Sequence, residues 1–414
     1  MTTRSWRALA ASLVTATLAS PTLEARPGSR DPTVPRRLVV GAPAGFWPMQ
    51  RGDGARTGRT PTSFPTVPFV TKRIPLFADL AAGPVVDAHE HLVVATKDGK
   101  LVEILPSGAV AFTLTLDAPV VLGPVITSDG TRVVVTRDSV ALGVAPDGSS
   151  TFTTPLGASR APVLAEPLAT RDSAVVVAFG SHLTKLGSDG ELRAEAELDE
   201  NVVAITETAR ALYVATETGR VFEWAPPETP RPVGNLGGKP TSELVAMDDG
   251  RLVAAIRAAS LVEIGTRDGT RATLAALAPD TITDTPAVTP SGELRLTTRA
   301  GWLLGYASSR ETLRHAMIPS TTLPAFVYAD ASLPPLVDRA GAVAFVTPSA
   351  TVGVLLPTGE VHTTPLSECG PPIAFVPSGK TRLAVFCRSG FIALVGEAPG
   401  TPMADRPAPP SRFP

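Results

Sequence analysis

Three series of turns run through the chain with one shared period, and that period constrains the fold more than any single motif. The first series recurs near Glu90, Gly130, Asp172, Arg210, Gly250, Gly292, Gly341 and Gly379. The second recurs near Gly99, Ser139, Ser181, Gly219, Ala259, Gly301, Ala350 and Gly390. The third is Gly108, Gly148, Gly190, a Pro-rich turn near Glu228, Gly269, a turn near Ser309, and Gly359. Spacings are mostly 38 to 42 residues, with one interval of 49 between Gly292 and Gly341. Between the turns lie short runs rich in Val, Ala, Leu and Thr, and almost no stretch holds a helical period. Asp-Gly, Ser-Gly and Thr-Gly dominate the turns because tight hairpins need positive φ there.

The repeating unit is therefore a four-stranded antiparallel sheet of about 40 residues, the length of a propeller blade. The clearest copies run from Gly83 to Leu116 and from Gly123 to Leu156. The third turn series has one member fewer than the others, so the last unit ends after its third strand, Phe391 to Val395. The strand-like stretch Val67 to Pro75 stands where the missing outer strand is needed, and it would join the termini without leaving an open edge. The expectation is an all-β, eight-bladed β-propeller of four-stranded antiparallel blades, closed by an N-terminal strand that completes the last blade. The 49-residue interval leaves seven blades as the alternative count.

Residues 1–25 read as a signal peptide: Arg4 and Arg7 precede an apolar run from Ala8 to Ala19, with Thr17-Leu18-Ala19 or Leu23-Glu24-Ala25 as the cleavage site. That run is too short to span a bilayer, and no Cys follows it to carry a lipid. The sequence then divides into a flexible linker at 26–45, the propeller at 46–397 and a Pro-rich disordered tail at 398–414. The expected location is exported, periplasmic or extracellular in a bacterium, with no transmembrane segment after cleavage. The two cysteines, Cys369 and Cys387, suit an oxidising compartment. If Val376 pairs with Thr381, Cys387 falls opposite Gly370, and a small bulge brings the sulfurs together. Such a disulfide would contribute on the order of 3 kcal/mol.

Trp47-Pro48-Met49-Gln50-Arg51-Gly52-Asp53 followed by Ala55-Arg56-Thr57-Gly58 resembles the lead-in segment of the PQQ-like repeat β-propeller family. The Gly-Pro-Val-Val…Asp-Gly-Lys-Leu…Ser-Gly unit looks like that family's blade repeat. The family takes in quinoprotein dehydrogenases and BamB, and the resemblance implies eight blades over roughly residues 46 to 397. The family's blade carries a Trp after the third-turn Gly. Here Phe112 and Phe152 stand at that position in blades one and two, and blade three has no aromatic there.

The chemistry that the family's enzymes use is missing from this chain. There is no adjacent Cys pair, no haem-attachment motif, and Trp224 and Trp302 fall on third strands, away from a central channel. His89 and His91 are candidate metal ligands, sharing a face at i and i+2, but no third ligand is evident nearby and an exposed polar turn is the better reading. His182, His315 and His362 complete the histidines, the last two on outer strands. Arg51-Gly52-Asp53 matches an adhesion tripeptide but lies inside the lead-in motif. The long connection Pro319 to Leu333 carries Phe326, Tyr328 and Asp330, a candidate binding loop or, equally, a plug over the core. Net charge is −2 without a basic block, which excludes a nucleic-acid footprint.

The sequence thus points to an exported, non-catalytic β-propeller, a monomer without cofactor. It would act as a binding or assembly scaffold for a protein or cell-envelope component on one face. A PQQ-dependent-type oxidoreductase is the first alternative. A hydrolase or lyase built on Asp199, Glu200, Asp280 and Asp284 is the second.

Overall fold

The hairpins encoded by the turn residues assemble into eight four-stranded antiparallel sheets in the computed structural model, an eight-bladed β-propeller. The structure describes residues 46–400 except 77, 158–164, 258, 278–279, 283, 300–301, 307–313, 317–332 and 348. The proposed signal peptide, the linker, most of the C-terminal tail, and Phe326, Tyr328 and Asp330 lie outside the described residues.

Blade 1 is built from Val85–Val86, Leu92–Ala95, Lys100–Ile104 and Val110–Thr115, in that order from the channel outward. The inner strands of blades 2 to 7 are Val120–Ile126, Leu168–Ala169, Val202–Glu207, Val245–Ala246, Ala287–Val288 and Leu336–Val337. Second strands such as Leu92–Ala95 and Arg132–Thr136 are buried along their whole length because neighbouring blades cover both faces. Outer strands such as Val110–Thr115 are largely exposed, with every second residue partly sheltered. Turn glycines have positive φ as expected, and where glycine is absent Glu90, Ser139 and Ala350 adopt the same conformation, with φ of 67°, 58° and 58°.

Blade 8 settles the count and the closure. Its strands Pro372–Pro377, Leu383–Cys387 and Phe391–Glu397 are completed by Pro68–Pro75, which pairs antiparallel with the third strand from Pro68↔Glu397 to Pro75↔Phe391. The Glu397 carboxylate accepts the Thr66 and Val67 amides at 2.7 and 2.8 Å, fixing the start of the closing strand. One apolar core runs through the seam, joining Ile74, Val86, Val94, Val354, Phe386 and Leu394.

Cys369 and Cys387 are joined by a disulfide, but not through the expected register. Val376 pairs with Ala384 rather than Thr381, so the hairpin turn is longer and Cys387 stands opposite Pro372 rather than Gly370. The expected bulge is present, between Pro372 and Ala374. Cys369 precedes the strand and is held by its own contacts, donating its amide to Leu366 O and accepting from the Ser389 amide.

Antiparallel order fixes the two faces of the disc. Inner-to-second turns lie on one face. Second-to-third turns and the outer-to-inner connections lie on the other.

Candidate functional site

Every inner strand of a propeller is a sheet edge facing the channel, and its outward-pointing backbone groups need partners. The lead-in motif supplies them. Trp47 exchanges both backbone hydrogen bonds with Val86 of blade 1, and Pro48 O accepts from Ile126 of blade 2. Gly54 O accepts from Glu207 of blade 4, Ala55 O from Ala246 of blade 5, Thr57 O from Val288 of blade 6 and Gly58 O from Val337 of blade 7. Ser63 then donates to Lys380 O of blade 8. Blade 3 is reached by a side chain instead, Arg56 donating to Glu166 O and Pro167 O at 2.9 Å each. The motif and the residues that follow it form a belt whose backbone meets blades 1, 2 and 4 to 8 in chain order, with Arg56 reaching back to blade 3.

Its arginines are spent on carbonyls. Arg51 donates to Pro335 O and Pro286 O at 3.0 and 2.9 Å, and Arg56 adds Ile205 O and Gln50 O. Arg59 reaches Val288 O and Thr289 O. The acceptors Pro167, Pro286 and Pro335 directly precede inner strands, where proline removes an edge donor that would otherwise be unpaired. Gly52 is required twice over: its φ is +83°, and a Cβ would stand 2.4 Å from the Trp47 ring. Asp53 accepts from both the amide and the hydroxyl of Thr57, closing the turn. The Arg-Gly-Asp tripeptide is therefore internal scaffolding, with Arg51 only 2% exposed.

On the face of the outer-to-inner connections the channel opens as a two-lobed well. The wider lobe, about 660 Å³, has apolar walls from Leu80, Pro84, Leu336, Ile373 and Phe375, with the charged residues Asp79, Lys97 and Arg388 among its lining. The inner lobe, about 330 Å³, is lined by Glu166, Glu243, Asp284, Ser242 and Lys239. Gln50, Arg51 and Asp284 belong to both. Burial pushes the Glu243 carboxyl up to about 7, with Glu166 and Asp284 adding to the rise and Arg56 opposing it. Burial likewise raises Glu166 and Asp284 and lowers Arg51 to about 10, the last countered by Asp284, Asp53 and Glu243. Glu243 Oε2 is buried with no hydrogen-bond partner; the nearest cation is Arg56 at 4.0 Å.

Of the four acids expected to converge, Asp284 alone lines this well. Asp199 and Glu200 pair with Arg220 at 2.6 and 3.1 Å, and Asp280 accepts from the Thr281 amide. Glu166 and Glu243 were not singled out from sequence, although both sit two residues before an inner strand, the position that faces the channel. Trp224 is fully buried in the core shared by blades 2 to 4, and the paired cysteines lie in blade 8.

The His89/His91 pair divides. His91 Nδ1 lies 2.7 Å from Glu103 and 3.4 Å from Asp87, so two further acids converge where none was evident from sequence. The exposed His89 contributes its amide to Asp87, not its ring. Arg132 of blade 2 stands 2.7 and 2.8 Å from the same two carboxylates. This cluster reads as a charge clamp between blades 1 and 2.

Fold and well together define an eight-bladed β-propeller with a pocket on one face of its channel. The chain is similar to the computationally designed Ika8 protein, at 12% identity over 78% of this chain and 98% of that one, with a TM-score of 0.61. It is similar to virginiamycin B lyase from Staphylococcus aureus at 12% identity, 78% and 98% coverage and a TM-score of 0.52. BamB from Moraxella catarrhalis matches at 14% identity, 80% and 100% coverage and a TM-score of 0.43. At these identities the likeness shows the fold alone. No family model and no curated protein sequence matches the chain.

Proposed function

We propose that this chain is an exported, non-catalytic propeller of the PQQ-like repeat kind that binds a protein partner through the face bearing the central well. The observation that carries the reading is the well itself, a concave site with apolar walls and a charged floor on a rigid ring. The Cys369–Cys387 disulfide fits an oxidising compartment and so an exported chain. The resemblance of the Trp47–Gly58 motif supports the family assignment. Binding is favoured over quinone chemistry because the cysteines such chemistry would call on are tied to each other in blade 8 and do not line the well, and Trp224 is enclosed in the core; Trp47 is the tryptophan in the lining.

The test is photocrosslinking in the producing cell. A benzoylphenylalanine placed at Lys97 or Arg388, both exposed residues lining the well, should give one discrete adduct. The same group at Leu192, exposed on the outer strand of blade 3, should give none. Absence of an adduct at both well positions, or equal labelling at Leu192, overturns the proposal.

A further inference from the structure

We infer that the inner lobe of the well, formed by Glu166, Glu243 and Asp284 over Arg51, is a receptor for a guanidinium group, and that the bound partner inserts an arginine there. This rests on the partner-binding reading above and specifies its chemistry.

The lobe has acceptor capacity that the protein leaves unused. Three carboxylates line it against Arg51 and the exposed Lys239. Arg56, behind them, lends charge to Glu243 but spends its donors on the carbonyls of Gln50, Ile205, Glu166 and Pro167. Arg51 gives its two Nη groups to Pro335 O and Pro286 O, and its Nε is buried without an acceptor. The Glu243 carboxylate takes a backbone hydrogen bond from Glu166, but its Oε2 atom is buried without a donor, an arrangement that a ligand's N–H would relieve.

The spacing selects the kind of cation. A metal ion draws its ligand oxygens close together. Among the described residues the group whose ligand atoms converge in that way is Asp87, His91 and Glu103, not these three acids. A planar guanidinium presents five donors in a fixed fork and can serve carboxylates that stand further apart, where a compact ammonium serves fewer. The adjoining apolar wall of Leu80, Leu336, Ile373 and Phe375 would receive the residues flanking the inserted arginine.

N-acetyl-L-arginine amide is the probe, titrated calorimetrically into the full exported chain. Saturable binding is expected at about pH 8. It should weaken severalfold at about pH 5.5, where Glu243, faced by Arg56, Glu166, Asp284 and Arg51, takes up a proton. Glu243→Gln and Asp284→Asn should each weaken binding by about tenfold, the loss of one charge-assisted hydrogen bond. N-acetyl-L-lysine amide should bind more weakly than the arginine probe, and Ca²⁺ should not compete. Equal affinity in the variants, non-saturable binding, or displacement by Ca²⁺ would overturn the inference. If the Lys97 adduct forms while the probe fails to bind the unsubstituted protein, the arginine receptor falls and the partner-binding reading stands. If the probe binds and the adduct never forms, the partner-binding reading falls and the guanidinium site stands.

Discussion

Glu243 shows how a single residue can be kept at a cost to stability. Its carboxyl titrates at about 7 in the folded protein against 4.5 as a free side chain, chiefly through burial. A raised carboxyl binds its proton more tightly when folded, so its stabilising contribution is complete below about pH 4.5 and is lost as pH rises to about 7. Across that window the difference corresponds to roughly 3 kcal/mol. Urea unfolding followed between about pH 4.5 and 8 should therefore show stability falling, and Glu243→Gln should flatten that slope and be the more stable protein above pH 7. A slope unchanged by the substitution would place the titration elsewhere. Its place two residues before an inner strand aims it at the channel, but nothing local marks its raised titration. What makes Glu243 unusual is Glu166 in blade 3, Asp284 in blade 6 and Arg56 in the belt, all remote along the chain.

At the scale of strands and hairpins the sequence was far more legible, because turn chemistry is local. Positive-φ glycines and alternating exposure on outer strands follow from residues within one unit, and the missing outer strand of blade 8 from counting such units. Packing between units was less visible. The Phe112 ring lies where a Cβ on Gly148 would meet it at 3.0 Å, and Phe152 does the same over Gly190 at 2.4 Å. Gly148 and Gly190 thus make room for an aromatic from the preceding blade as well as turning the chain. The blade-8 hairpin shows where local reading fails: a register chosen from the turn sequence alone was displaced, since the observed pairing is set by the longer turn between Pro377 and Leu383. The disulfide survives that change and closes an 18-residue separation. Replacing both cysteines by alanine should lower unfolding stability by about 3 kcal/mol, as measured by denaturant titration. A loss below about 1 kcal/mol would mean that closing-strand pairing with Phe391–Glu397 already holds the blade.

Over the whole molecule, the ring is closed twice. The outer closure, Pro68–Pro75 on Phe391–Glu397, could be anticipated by counting turns. The inner closure could not, because the belt bonds to partners as remote as Pro335 and Lys380 and no period in the sequence records it. The belt turns eight separate sheet edges into one connected structure and lays the floor of the well with Gln50 and Arg51. Arg56 is its central fastening, fully buried and shared among blades 3 and 4 and the belt itself. Arg56→Met would strip donors from those carbonyls and leave Glu243 without its nearest cation, a loss of about 3–5 kcal/mol for a buried charge partner. If the belt acts as one unit, the effect should reach well beyond its neighbours. The amides of Val86, Ile126, Glu207, Ala246, Val288 and Val337 all donate to belt carbonyls, so native-state hydrogen exchange should show them losing protection together in this variant. Amides of the outer closure, where Pro68–Pro75 meets its partner strand, should exchange as slowly as before. Loss of protection confined to Glu207 and its neighbours would show eight independent clamps instead of a belt.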